Sequence, residues 1–422
     1  MVPITGNDNE ISSPEEDCHQ TTSLASTTIA GNDDLLTEIL VCTPFKSLIR
    51  FKSVSKHWFS LISASHLSFN RILRRRPSGL FLRKTPLFLC DFMSEFEFVS
   101  FSNNNHNLSG ALNFADDPSG IKILQSCNGL LLCSTFRKSV GKTNHNYYIY
   151  NPTTKQYSTL PPLTGTESTV FGYGLAFDPL KSIHYTVICV SSMDEYNVFY
   201  NRKCDYYINV YSSETRSWRS SGRFQTSYYM GLTDGVFCNG SIHWISLSGA
   251  SFRFDVDHEY LETLPIPDSR GRRIPDSGGR RRERKYRYFG ESNGHLHLIE
   301  NYRTVTTQFD VFEMERDYSK WFVKYRVDLV GIVNAFPKMD RSRRDIRCMN
   351  YYAYSILNLV REEDENESSL LLHVPGKVLS YKLKDNTFKE LHNLAPGKFH
   401  KKGSLQFGCF DAYLYTETLA SV

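Results

Sequence analysis

A small all-α domain followed by an all-β propeller of six blades, closed by strands from both of its ends, is the fold class this sequence predicts. Three observations predict it. Residues 33–63, "DDLLTEILVCTPFKSLIRFKSVSKHWFSLIS", carry large apolar residues at helical spacing. From residue 79 onward short strands dominate, and one aromatic hairpin recurs five times. Asn-Gly dipeptides, which favour two-residue hairpin turns because both residues tolerate positive φ, precede three of the five copies. At 422 residues the chain exceeds one average domain, and its 28 Phe and 25 Tyr favour strands.

The helical piece divides at a proline. Asn32 or Asp33 can cap a first helix by accepting a hydrogen bond from its free amides, and Leu35, Leu36, Ile39 and Leu40 then form one apolar face. Pro44 forces a new start, since it lacks an amide hydrogen and clashes with the preceding turn. Leu48, Phe51, Val54, Trp58, Leu61 and Ile62 continue the periodicity, with Lys46, Arg50, Lys52 and Lys56 on the wet side. So short a piece cannot enclose this many large side chains. The surplus either packs on the rest of the chain or forms a docking face for a second protein.

The recurring β unit is a strand ending in Tyr or Phe, a polar turn, and a strand opening on an aromatic. Its aromatic pairs are Tyr150 and Tyr157, Tyr211 and Trp218, Phe254 and Tyr260, Phe312 and Trp321, and Tyr381 and Phe388. A second hairpin ahead of each gives four strands, the content of one propeller blade. Complete blades fall near 121–160, 171–221, 234–265, 286–327 and 355–392. Strands at 79–101 and 405–416 remain, and together they can form a sixth blade that removes the exposed strand edges. Seven blades or an open pair of sheets are the alternatives.

Composition narrows the function. Residues 1–30 are polar, acidic and rich in Ser and Thr, without the basic start and apolar middle of a signal peptide, and read as a disordered tail of an intracellular protein. No apolar run approaches the roughly 18 residues that span a bilayer. The ten cysteines include no CxxC pair and read as buried reduced thiols. The net charge of +4 is concentrated between Ile266 and Arg287, where nine Lys/Arg stand against three acids, so the remainder has no basic surface built for nucleic acid. Within that stretch "IPDSRGRR" is nearly repeated by "IPDSGGRR", the mark of a duplicated, disordered insertion at 266–285 rather than an import signal or an acidic-partner site. "REEDENESS", residues 361–369, reads as an exposed acidic turn between strands of the last full blade.

Catalytic constellations are missing: there is no GxSxG elbow, P-loop, HExxH or run of paired carboxylates. His295 and His297 alternate on one strand and face one side. An isolated pair on a hairpin reads as surface, since zinc takes three or four protein ligands. His243 and Trp244 read as a core pair. No cofactor, metal site or enzymatic activity is expected.

The helical segment resembles an F-box of the plant type. Asp34-Leu35-Leu36, Glu38-Ile39-Leu40, Pro44, Lys46-Ser47-Leu48, Arg50-Phe51-Lys52, Val54-Ser55 and Lys56-x-Trp58 stand in register with that family's pattern. It departs at two places, where Gly31-Asn32 and Thr43-Pro44 replace Leu-Pro pairs. "SCNGLLLC", "YIYNPTTKQYSTLPP" and "GYGLAFDP" resemble the F-box-associated, kelch-like domain of plant F-box proteins, a likeness covering roughly residues 80–400. The resemblance implies an F-box at 31–75 and an F-box-associated propeller at 79–416. It implies docking on the Skp-type adaptor of an SCF (Skp–cullin–F-box) ubiquitin ligase, and through that adaptor on a cullin. Leu35, Leu36, Ile39, Leu40, Pro44, Leu48, Val54 and Trp58 are the expected adaptor-binding residues. The propeller would present an unknown substrate protein for ubiquitination, in cytoplasm or nucleus. The rival is an adaptor-independent propeller that binds a small molecule, a glycan or nucleic acid.

Overall fold

In a computed structural model of the chain, residues 29, 31–63, 77–84, 95–101, 112, 114–115, 120–135, 146–163, 169–192, 204–226, 235–245, 250–267, 286–300, 306–340, 352–394, 405, 407 and 411–422 are described. The expected disordered tail and nearly all of the basic insertion lie outside them. The chain divides into two compact units, Met1–Arg74 and Arg75–Val422.

The described residues of the first unit hold three short helices: α1, Asp33–Cys42; α2, Phe45–Phe51; and α3, Lys56–Ser63. Asn32 caps α1, its side-chain oxygen accepting from the amides of Asp34 and Leu35 at 3.1 Å each. Thr43 leaves the helix in an extended conformation, as a residue before proline must, and Pro44 opens α2. Ser55 caps α3 by accepting from Trp58 N at 3.1 Å.

The second unit is a six-bladed propeller. Its strands are β1, Gly79–Lys84; β2, Glu95–Ser100; β3, Ile121–Cys127; β4, Leu130–Thr135; β5, Tyr147–Asn151; and β6, Gln156–Thr159. Next come β7, Thr169–Ala176; β8, Thr186–Ser192; β9, Cys204–Ser212; β10, Ser217–Thr226; β11, Val236–Cys238; and β12, Ser241–Trp244. Then follow β13, Ser251–Asp255; β14, Tyr260–Leu264; β15, Tyr286–Ser292; β16, His295–Glu300; β17, Gln308–Met314; and β18, Trp321–Asp328. After a short helix α4, Val330–Ala335, the last are β19, Ser355–Val360; β20, Ser369–Val374; β21, Lys377–Lys382; β22, Phe388–Asn393; and β23, Ala412–Tyr415.

Five antiparallel four-stranded sheets, β3–β6, β7–β10, β11–β14, β15–β18 and β19–β22, follow the chain in order. They match the five predicted blades closely. The closing sheet orders β2-β1-β23 and joins a strand from each end of the unit. Leading strands neighbour one another around the ring: β3 meets β7, then β11, β15, β19 and β23, which returns to β3.

Burial follows position in the blade. The second strands β4 and β20 are buried along their whole length, and "LLLCST" and "SLLLHV" are accordingly near-continuous apolar runs. The fourth strand β6 is mostly exposed. The predicted Asn-Gly turns are real: Asn128, Asn239 and Asn293 all take positive φ, as do the glycines after them. Two of these asparagines also tie blades together. Asn128 Nδ2 donates to the Phe177 carbonyl at 2.7 Å, and Asn239 Nδ2 to the Gly294 carbonyl at 3.1 Å.

The aromatic hairpin pairs in register in three copies, Tyr150 with Tyr157, Tyr211 with Trp218 and Tyr381 with Phe388. In the other two, Phe254 faces Leu261 and Phe312 faces Val323. Separations of six and nine residues across the turn do not close the same register as seven. Two opening aromatics have a further role between blades. Trp218 Nε1 donates to the Pro161 carbonyl at 2.7 Å, and Trp321 Nε1 to the Pro265 carbonyl at 2.8 Å, each reaching the end of the preceding sheet.

Candidate functional site

α1 carries two apolar stripes, each an i, i+4 pair, set about 100° apart round the helix. Leu36 and Leu40 point inward and are buried, joined by Leu48 of α2 and by Leu61 and Ile62 of α3. Leu35 and Ile39 point outward and are 48% and 49% exposed. Val54, on the turn before α3, is 61% exposed, and Pro44 is exposed as well. Trp58 is half-buried, its ring edge-on to Phe51 at 5.3 Å. The eight expected docking residues therefore separate. Leu36, Leu40 and Leu48 form the internal core, Trp58 is shared, and Leu35, Ile39, Pro44 and Val54 face water.

Phe59, 54% exposed, belongs with the outward group and was missed from the sequence. Its signal was there: Trp58, Leu61 and Ile62 form one stripe of α3, and a large apolar residue one position after Trp58 falls outside it. Lys52 lies over the Phe59 ring, its ammonium 5.6 Å from the centroid, and burial lowers the Lys52 pKa. At the open end of the unit His57 Nε2 lies 2.9 Å from Asp33 Oδ1, linking α3 to the start of α1.

Full burial of one such side chain from water is worth about 1.5–3 kcal/mol. Four half-exposed ones thus leave several kcal/mol unrealised in a unit whose described residues include five buried aliphatics. Leu35 and Ile39, one turn apart on α1, present an exposed apolar stripe of the kind that marks a binding surface.

Among the described residues the propeller shows no comparable stripe. Its exposed large apolar residues are scattered over several sheets and turns, among them Tyr157, Leu180, Ile183, Tyr260 and Val323. Among the described residues no group of three or more His, Cys, Asp and Glu could hold a metal ion, and no helix is long and apolar enough to cross a membrane. "REEDENESS" forms the connection between β19 and β20, and its acids are mostly exposed. His243 and Trp244 are buried, as expected of a core pair. His295 and His297 are not the surface pair the hairpin suggested. His297 is fully buried, and both imidazoles contact the buried Glu313, a residue of the next strand that spacing along β16 could not reveal.

Comparison with known proteins places both units. Residues 32–70 match the F-box domain, and residues 85–331 match the F-box associated beta propeller domain. F-box protein At5g07610 of Arabidopsis thaliana is 36% identical over 386 residues, covering 87% of this chain and 87% of that protein. F-box protein At5g49610 of the same plant is 30% identical, covering 64% of this chain and 71% of its own length. Among solved structures the likeness is loose: YCF48 from Cyanidioschyzon merolae gives a TM-score of 0.32 at 10% identity, over 56% of this chain and 59% of that one.

Proposed function

Because the chain belongs to the F-box proteins that carry an F-box-associated β-propeller domain, we propose that it is the substrate receptor of an SCF-type ubiquitin ligase. Its helical unit docks on a Skp-type adaptor, and through it on a cullin, while the propeller holds a target protein. The observation that carries this reading is the outward apolar set Leu35, Ile39, Val54 and Phe59, all inside the segment that matches the F-box domain. Burying them against an apolar partner surface supplies the affinity, less the cost of association.

No chemical step is assigned to this chain. It contributes proximity, raising the local concentration of a target lysine near a ubiquitin-conjugating enzyme held elsewhere in the assembly. A ring stitched together by side-chain-to-backbone bonds between sheets suits that task, because it holds the loops that would grip a target in fixed positions within the propeller. Cytoplasm or nucleus is the compartment in which such an assembly works.

The burial pattern selects the test. Leu36→Asp would place a charge in the core of the helical unit and report on folding alone. Leu35→Asp with Ile39→Asp changes only half-exposed side chains. In the full chain this pair is expected to abolish capture of a purified Skp-type adaptor, with the melting profile unchanged. Val323→Asp, on the propeller, should capture as the unmodified chain does. Undiminished capture by the Leu35/Ile39 pair would overturn the docking assignment.

A further inference from the structure

At the junction of the sheets β15–β18 and β19–β22 lies a polar cluster that the docking role does not use. Glu313, near the end of β17, is 4% exposed. Its Oε1 is 3.2 Å from His295 Nδ1, and its Oε2 is 3.1 Å from His297 Nε2 and 3.0 Å from Arg361 Nη1. The two histidines alternate on β16, whereas Arg361 opens the loop after β19 in the neighbouring sheet. The same loop has two more fastenings across the seam. Arg361 N donates to Ser292 Oγ at the end of β15, at 2.8 Å, and Lys324 of β18 pairs with Glu365. Glu365 also lies 3.8 Å from Arg361 Nη2.

Proton placement follows from the geometry. A neutral imidazole has one N–H, and here each ring turns a nitrogen toward the Glu313 carboxylate, which only accepts. His297 Nδ1 is therefore a bare acceptor. It is buried and has no hydrogen-bond partner in the structure. A second proton on His297 would create a buried donor close to Arg361, with only the His295 backbone to oppose that cost. Burial accordingly holds the pKa of both histidines below the ordinary imidazole value, and the Arg361 charge adds to this while Glu313 opposes it. Arg316 adds a further cation near His295. Burial alone would raise the Glu313 carboxyl, but the hydrogen bond from His297 and the charge of Arg361 outweigh it and hold it low.

Closed, the seam takes up protons reluctantly. Opened, its imidazoles would stand in water and bind protons near pH ~6.5. The state that binds more protons gains as the pH falls. The apolar cluster beneath includes Tyr288, Ile299, Tyr354, Ile356 and Leu370, drawn from both sheets, and it titrates nowhere in this range. It keeps the ring closed whatever the pH.

We propose that Glu313, His295, His297 and Arg361 form an acid-opened latch that fastens the acidic loop 361–368 to the neighbouring blade and releases it on acidification, while the propeller stays folded.

Amide hydrogen exchange on the full chain, followed from about pH 7.5 to about pH 5 and corrected for intrinsic rates, tests this. Peptides spanning 355–368 should open more as pH falls, by up to about tenfold per pH unit for each proton taken up on opening. Peptides of the β3–β6 sheet should show no such trend. His297→Gln retains an N–H that can reach Glu313 but cannot titrate, so its dependence should be shallower by one proton. Glu313→Gln should raise exchange in 361–368 already at neutral pH. Protection of 355–368 that ignores pH, an unaltered acid response in His297→Gln, or unchanged exchange in Glu313→Gln would each overturn the latch.

Discussion

His243 on β12 is fully buried, with Nδ1 3.2 Å from the Val236 carbonyl and Nε2 lacking a partner. Its ring stacks on Tyr318 from the next sheet at 5.2 Å, and the Arg253 guanidinium covers the same tyrosine at 4.3 Å. Burial pushes the His243 pKa down to about 3, aided by the nearby Arg253 charge. The folded protein thus keeps this imidazole neutral where an unfolded chain protonates it. Its contribution to stability is complete above pH ~6.5 and is lost as the pH falls toward 3, by up to about 1.4 kcal/mol per pH unit. A His243→Gln variant should therefore lose less stability than the unmodified chain between pH 7 and pH ~5, read from urea midpoints at each pH; parallel losses would refute the assignment. At this scale the sequence was partly legible. It gave His243 and Trp244 as core residues, and it put His295 and His297 on one side of a strand. It did not give burial to the second pair, because Glu313 and Arg361, which make that burial tolerable, come from another strand and another sheet.

Within elements, turn chemistry explains most of what was foreseen. Asn-Gly turns read directly from sequence because only residues that tolerate positive φ fit them. The connections between third and fourth strands were harder. Each has one residue at positive φ, but these are Lys155, Arg216, Glu259, Tyr318 and Asn386, and four of the five lack the usual turn chemistry. Tertiary contacts support some of them: Glu259 pairs with Arg219 of the preceding sheet, and Tyr318 is wedged between His243 and Arg253. Two glycines separate backbone strain from crowding. Gly376 has φ +84 and open space where a Cβ would stand; Gly129 has φ +88, and there a Cβ would lie 2.4 Å from the Thr416 carbonyl oxygen. Gly376→Ala is expected to cost roughly 1–2 kcal/mol from the left-handed backbone alone, and Gly129→Ala substantially more. Thermal midpoints of the two variants check the ordering, and equal losses would mean the Thr416 segment yields freely.

For the molecule as a whole, the closing sheet decides whether the propeller is a ring. β1 pairs with β2 on one side and β23 on the other, so this sheet depends on strands more than 300 residues apart. Arg83 and Asp411 pair at 2.7 Å at one end of it, and Phe81, Phe98 and Tyr415 pack their rings together within it. The segment after β23 adds a second clasp. Asn151 Nδ2 donates to the Thr418 and Ala420 carbonyls at 3.1 and 2.7 Å, while Thr153 Oγ1 bonds Tyr415 Oη and accepts from Thr418 N. Removing residues 411–422 should expose the free edge of β1 together with the apolar faces beside Phe81, a combination that invites edge pairing. Size-exclusion chromatography with light scattering is expected to show assemblies where the full chain is a single species. A monodisperse truncated chain with unchanged melting would show that closure contributes little.

The sequence by itself determined what local chemistry controls. It set the helical piece and the cap of its first helix, the Asn-Gly turns, the hairpin repeat, and hence the limits of the five complete blades. Each of these follows from residues within a turn or a strand pair of one another. Tertiary structure alone decided which apolar stripe of α1 is core and which faces water, which buried histidines share a carboxylate, and how the ring is locked. Those outcomes depend on side chains brought together from distant positions, as Arg83 and Asp411 are across 328 residues. No periodicity along the chain encodes them.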